Sequence, residues 1–188
     1  MGGPEREAAS PADDGADDAP AGERAAPGKE TPMAFSLTSP AFDHEGTIPV
    51  RFTCDGEDVS PALSWSEAPE DAERFALVVD DPDAPGGPFV HWVLYGIPGH
   101  FSELPEAVGD APRLDYLGEA VNGRNDFDDL GYGGPCPPPG DPHRYVFTLY
   151  ALDADLGLDP GATKGELEEA MEGRVLGEAD LTGTYRRR

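Results

Sequence analysis

The sequence predicts an all-β fold, an antiparallel sandwich or a close relative of one, and two observations carry that reading. From Met33 onward, short runs rich in Val, Leu, Phe, Tyr and Thr are separated by clusters of Gly, Pro and Asp, the pattern of strands and turns. The runs follow one another strand after strand, without the βαβ alternation of a parallel sheet. A length of 188 residues suits one domain.

In chain order the predicted strands are FSLTSPAF (35–42), TIPVRFTC (47–54), ALSW (62–65), RFALVVD (74–80), FVHWVLYGI (89–97) and RYVFTLYAL (144–152). The breaks DGEDVSP, DPDAPGGP and GYGGPCPPPGDP divide them. RYVFTLYAL is almost continuously apolar, so it is expected at the sheet centre with both faces covered. One helix is marked. Thr163 with Glu166 three residues on forms a capping box. Leu167 and Met171 then fall on one face, and Gly173 offers a stop. RVLGEADLTGTYRRR is read as a last strand with a basic tip, the three arginines serving as a solubilising terminus. The segment 117–142 is read as a long loop, and a loop of that length in a compact domain tends to be functional.

Residues 1–32 are Ala, Pro, Gly and acid, with no aromatic residue. Such a segment cannot bury enough apolar surface to offset its ordering entropy, so it is expected as a disordered acidic tail preceding a single domain over 33–188. It has neither the basic start nor the apolar core of a signal peptide. No apolar run approaches the ~20 residues of a membrane span, and a cytoplasmic protein is expected. The formal net charge is −25. Residues 33–188 hold 30 acids and 10 bases, hence −20, so the domain is acidic in its own right. The acids are spread along the whole chain, which points to adaptation to high salt, where screening weakens self-repulsion. An acidic docking face for a basic partner is the alternative. Nucleic acid is excluded as a ligand, because phosphate backbones are bound by positive charge.

The chemistry gathers around DPDAP (81–85). Pro82 and Pro85 stiffen a turn that carries Asp81 and Asp83 at a strand end. His91-Trp92 opens the next strand, and GGPCPPPGDPHRY (133–145) leads through a stiff loop to His143, Arg144 and Tyr145. If the central strands are neighbours, Asp81, His91, His143 and Tyr145 meet at one rim.

DPDAP, HW, GPCPPPG and HRY, in this order and spacing, resemble the phosphatidylethanolamine-binding protein family, which includes the Raf kinase inhibitor proteins. TCDGEDVSPALSW, GRNDF, ATKGELEEAMEGRVL and LTGTY resemble its prokaryotic branch. The resemblance covers about Phe35 to Tyr185. It implies a large antiparallel Greek-key sheet packed with a smaller sheet, a few peripheral helices, and a small anion pocket at one end. It also implies a non-enzymatic binder of phosphate or a phosphorylated small molecule, without cofactor or metal. A kinase or protease is the protein partner it suggests, and a homodimer is within its range. Matched residue by residue, the pocket comprises Asp81, Asp83, Phe89, His91, Cys136, Pro138, His143 and Tyr145. Phe89 stands where eukaryotic members carry a Trp, and no C-terminal helix follows Tyr185, so their lipid and kinase specificity does not transfer. The alternative function is a protease or kinase inhibitor that docks by its surface, independently of the pocket.

An aspartate in an anion pocket repels its ligand unless it is paired. Asp81 is expected to raise the basicity of His91 or His143, so that an imidazolium donates to the anion. Tyr145 and a backbone N–H near Cys136 add neutral donors. Asp83 is expected to fix the turn and orient a histidine, and Asp80 to be solvated or structural. Asp81, His91 and His143 could also form a facial metal site, but the resemblance implies an anion instead. No nucleophile elbow is present. Cys54 and Cys136 have no zinc spacing, and as cytosolic thiols they would be reduced. Both fall in loops at the pocket end, so they are expected close together; a bond between them requires Cα atoms within roughly 7 Å.

Overall fold

A strand ladder of seven members is what the alternating runs build. The computed structural model describes residues 34–188, and the expected tail over 1–32 lies outside the described residues. The strands are β1 (Ser36–Thr38), β2 (Gly46–Thr47), β3 (Leu63–Ser66), β4 (Arg74–Asp81), β5 (Phe89–Pro98), β6 (Glu103–Leu104), β7 (Arg113–Leu114), β8 (Ala120–Asn122), β9 (His143–Leu152) and β10 (Val175–Tyr185). The large sheet has the order β2-β10-β9-β4-β5-β8-β7, and a small sheet has the order β1-β3-β6. The chain passes from β8 beyond β5 and β4 to lay β9 against β4, the crossing expected of a Greek key. All pairings are antiparallel except that of the short edge strand β2 with β10. The all-β reading holds.

Three local expectations are corrected. TIPVRFTC is not one strand. Pro49 cannot donate to a ladder, and the chain leaves β2 for a 3₁₀ turn at Val50–Phe52. β9 is not the strand covered on both faces, because its outward residues Val146, Thr148 and Tyr150 are only half-buried. That role falls to β4 and β5, whose runs are buried on both sides. The segment 117–142 also contains β8. The rest of it is irregular but pinned by two buried asparagines. Asn122 Nδ2 donates to the carbonyls of Gly109 and Ala111, while Asn125 donates to Gly131 O and accepts from the Phe127 and Asp129 amides. Side-chain amides thus satisfy backbone groups that no ladder reaches.

Alternation along β4 divides the core. Phe75, Leu77 and Val79 face the small sheet, together with Trp92, Leu94, Phe147, Leu149, Leu63 and Trp65. Ala76 and Val78 face the other way, beneath the helix α1 (Lys164–Met171), which buries Leu167 and Met171 against them. The predicted capping box is present: Thr163 Oγ1 accepts from Glu166 N at 3.2 Å, and Glu166 Oε1 accepts from Thr163 N at 3.0 Å. Gly173, at φ 76°, follows the helix in the left-handed region, where glycine carries no Cβ penalty.

With −20 on residues 33–188, repulsion among surface carboxylates opposes compaction wherever salt does not screen it. Lowering salt from molar to millimolar should therefore lower the melting temperature by at least several degrees, since the Debye length grows from ~3 Å to tens of Å. A melting temperature independent of salt would remove the high-salt reading.

Candidate functional site

The C-terminal end of β4 and the N-terminal ends of β5 and β9 lie at one edge of the large sheet, because β4 is antiparallel to both neighbours. That places Asp81 beside Phe89 in register on one side and leads β9 in through His143 and Tyr145 on the other.

The three carboxylates of DDPD have three different tasks. Alternation sends Asp80 to the helix side, where it accepts from Lys164 Nζ at 2.7 Å and ties β4 to the first turn of α1. Asp81 points to the opposite face and is buried. Its Oδ1 accepts the Asp83 amide at 2.8 Å, which closes the turn, and its Oδ2 accepts from His143 Nδ1 at 2.6 Å. Asp83 takes three hydrogen bonds from Arg144: the backbone N at 2.9 Å, Nε at 3.0 Å and Nη2 at 2.8 Å. The Arg144 guanidinium, and then its amide, hold the Asp83 carboxyl down to about 2. Asp83 fixes the turn as expected. It does so by clamping it to β9 through an arginine, not by orienting a histidine.

His91 reaches the same face through a β-bulge. Val79 pairs with Trp92 and Asp80 with Val90, so one step along β4 matches two along β5 and His91 is the extra residue. In a regular strand His91 and Trp92 would face opposite ways. The bulge re-aims one of them. Trp92 enters the core, and its indole N–H donates to Asn122 Oδ1. His91 turns into the rim, where Nδ1 donates to the Gly133 carbonyl at 2.7 Å and Nε2 is left for a ligand. Three aromatic rings stand edge-on to its imidazole: Phe89 at 5.1 Å, Phe127 at 5.3 Å and Tyr145 at 5.2 Å between centroids.

Burial lowers the His91 pKa below the ordinary imidazole value, against the raising effects of the Gly133 carbonyl and the Asp81 charge. Of the two histidines, it is His143 that hydrogen-bonds Asp81. For His91, desolvation outweighs the carboxylate. Tyr145 is 1 % exposed, and its hydroxyl makes no well-formed hydrogen bond with a described residue. Its phenol is pushed well up, first by burial and then by the charge of Asp81. A buried hydroxyl left unpaired costs about 1–3 kcal/mol, and in a native fold it calls for an explanation.

The loop 133–142 closes the rim. Gly133 O holds His91, Gly134 N donates to Asp58 Oδ1 at 2.8 Å, and Cys54 N donates to Pro135 O at 3.1 Å. Cys54 and Cys136 form a disulfide with Cα atoms 5.4 Å apart, so the reading of two reduced thiols is corrected to a bonded pair. Cys136 and Pro138 are exposed and edge the site without lining its buried part. Sequence reasoning missed two members. Phe127 roofs His91 and Phe89, the latter at 4.8 Å. Gly133 lets the Phe127 ring come close, because a Cβ there would fall within 2.5 Å of it and displace the ring. A lone aromatic within the polar GRNDF stretch was the available signal for Phe127.

Among the described residues, no three His, Cys, Asp or Glu side chains are placed to hold a metal ion. Two concave spaces flank the cluster, and neither is lined by Asp81 or His91. A depression of about 420 Å³ lies beyond Phe127 and Gly133–Gly134, and a groove of about 590 Å³ lies beyond Pro142.

Known proteins can be set beside this geometry. Residues 38–186 match the phosphatidylethanolamine-binding protein family. The chain belongs to that family. A UPF0098 protein of Methanothermobacter thermautotrophicus is 54 % identical over 153 residues, covering 81 % of this chain and 99 % of the relative. A UPF0098 protein of Aquifex aeolicus is 45 % identical over 155 residues, covering 81 % and 89 %. Among solved structures, YbcL of E. coli, described as a new member of the mammalian PEBP family, superposes with a TM-score of 0.76 at 33 % identity, covering 82 % of this chain and 99 % of its own. These matches span the sheet, the DPDAP turn and the loop 133–142 of this family member. Neither the family description nor these relatives' names carries an enzymatic activity. No described helix is long and apolar enough to cross a membrane.

Proposed function

We propose that this family member is a non-enzymatic binding protein for a phosphate-sized anion, held at the end of the large sheet by His143, His91 and Tyr145, and that occupancy of this pocket regulates a kinase or other partner. The observation that carries the reading is the part-buried Asp81–His143 pair at 2.6 Å beside the Tyr145 hydroxyl, which makes no well-formed hydrogen bond with a described residue. Asp81 accepts from Nδ1, so Nε2 of His143 is the nitrogen left to face a ligand. When His143 is protonated, the carboxylate offsets the imidazolium charge within the fold, while Nε2–H becomes a charge-assisted donor. Tyr145 then offers its hydroxyl proton at no further ordering cost. His91 contributes once its Nε2 is protonated, and a bound anion favours that protonation.

Two consequences follow for pH. Anion affinity should grow as pH falls through the imidazole range near ~6.5. The apo fold should lose stability over the same range. His91 binds its proton less readily folded than unfolded, so below about 6.5 the unfolded chain takes up protons first. Bound anion should reduce that loss.

Calorimetric titration with phosphate at pH 5.5 and 8 tests the reading. Sulfate, whose charge does not change between those values, separates titration of the protein from titration of the ligand. Tighter binding of both anions at pH 5.5 is expected. His91→Ala should cost roughly 1–3 kcal/mol of that affinity. Binding that is flat with pH and indifferent to His91 would defeat the proposal and leave surface docking as the better account.

A further inference from the structure

We infer that the C-terminal arginines form a second anion subsite beside His143, and that the ligand is a small molecule with two anionic groups. The inference rests on the pocket reading above. Three independent features carry it.

The first is charge. Of the ten basic side chains in residues 33–188, eight lie within 4.0 Å of a carboxylate: Arg51, Arg74, Arg113, Arg124, Arg144, Lys164, Arg174 and Arg187. Arg186 and Arg188 have no such partner among the described residues, and both are exposed. Among the described residues these two arginines are the ones without a carboxylate partner, and a diffusing anion is drawn to exposed positive charge.

The second is order. A frayed basic tip would not be a site, but this one is anchored at its centre. Arg187 pairs through Nε with Asp55 Oδ1 at 3.2 Å, and its carbonyl accepts from Gly140 N at 3.3 Å. The Tyr185 hydroxyl donates to the other oxygen of Asp55 at 2.7 Å. Asp55 is the carboxylate in the groove, and both its oxygens are engaged. The chain between Arg186 and Arg188 is thereby anchored at Arg187.

The third is position and shape. The groove of about 590 Å³ is lined by Arg186 and Arg188 together with Thr47, Val50, Pro142 and Tyr185, a volume suited to a small ligand. Tyr185 is the register partner of His143 across β9 and β10, and Pro142 immediately precedes His143. An anion on His143 and a second on the arginines would therefore be separated by no more than the start of β9. Arg also suits the task, since its planar fork meets phosphate oxygens two at a time. A phosphate ester bearing a second phosphate or carboxylate fits both places at once, whereas a monoanion uses one.

Inorganic phosphate and tripolyphosphate serve as probes of one and two subsites. Both are titrated calorimetrically into the full chain at one fixed ionic strength, with wild type and the double variant Arg186→Gln/Arg188→Gln compared. Wild type should bind tripolyphosphate at 1:1 and at least tenfold more tightly than phosphate. The double variant should lose that preference while keeping its phosphate affinity and melting temperature. No preference in wild type, or a preference that survives in the double variant, overturns the inference. His91→Ala separates this failure from that of the pocket reading. It should weaken both probes, and tripolyphosphate binding that depends on the arginines but ignores His91 would mean that the groove acts alone, which overturns the shared site.

Discussion

Asp81→Ala should weaken phosphate binding at pH 5.5 by about 30- to 150-fold, the equivalent of roughly 2–3 kcal/mol for a hydrogen bond to a charged group. The direction is not obvious from charge alone. Removing a carboxylate from an anion site takes away a repulsion, and if Asp81 only repelled, its loss would tighten binding. The geometry decides between the two. Oδ2 lies 2.6 Å from His143 Nδ1, and Oδ1 is committed to the Asp83 amide. Without Asp81 the His143 imidazolium loses its counter-charge in a buried setting, and the ring loses the acceptor that orients Nε2. The Asp83 amide is orphaned at the same time, which loosens the turn that Arg144 clamps, so some global stability should be lost as well. Asp81→Asn separates the effects. Its carbonyl can still accept one of the two hydrogen bonds, so most of the stability should return while affinity at pH 5.5 stays low. Tighter binding by the Ala variant would show that the aspartate is a gate against anions and not a support for the histidine.

Much of this site was legible in the sequence because its parts are local. Stiff Asp-Pro and Pro-Pro turns at strand ends are visible without a structure, and so is the length of apolar runs. The run FALVV proved to be a strand buried on both faces, as continuous apolarity implies. RYVFTLYAL gave the same signal wrongly, since half-buried Val146, Thr148 and Tyr150 do not differ by type from core residues. What could not be read was register. The bulge that turns His91 away from its period-2 direction exists only in the pairing with β4. The choice of His143 over His91 as the partner of Asp81 follows from that register. Phe127 was likewise hidden, because its contacts with His91 and Phe89 cross a long irregular segment whose course is set by the buried side chains of Asn122 and Asn125.

Removing the disulfide by Cys54→Ser/Cys136→Ser should lower the unfolding free energy by about 2–5 kcal/mol. The crosslink closes a loop across a sequence separation of 82 residues. For a loop of that size, chain entropy in the unfolded state alone accounts for about 4.5 kcal/mol, and measured removals usually fall at or below that figure. Against a typical total of about 5–15 kcal/mol, this is a large share. At roughly 2–4 °C per kcal/mol for a domain of this size, the melting temperature should fall by about 4–20 °C. The folded site should change much less. The loop that presents Gly133 to His91 keeps its other ties: Gly134 N to Asp58, Gly133 N to His91 O, Cys54 N to Pro135 O and Gly140 N to Arg187 O. Phosphate affinity measured well below the new melting temperature should therefore be close to wild type. Thermal denaturation of the oxidised, reduced and doubly substituted proteins in matched salt checks the first part, and titration at low temperature checks the second. Equal melting temperatures would mean that the bond constrains nothing the fold does not already hold. Lost affinity with the fold intact would mean that the four remaining hydrogen bonds do not suffice to place Gly133, and that the disulfide itself sets the geometry around His91.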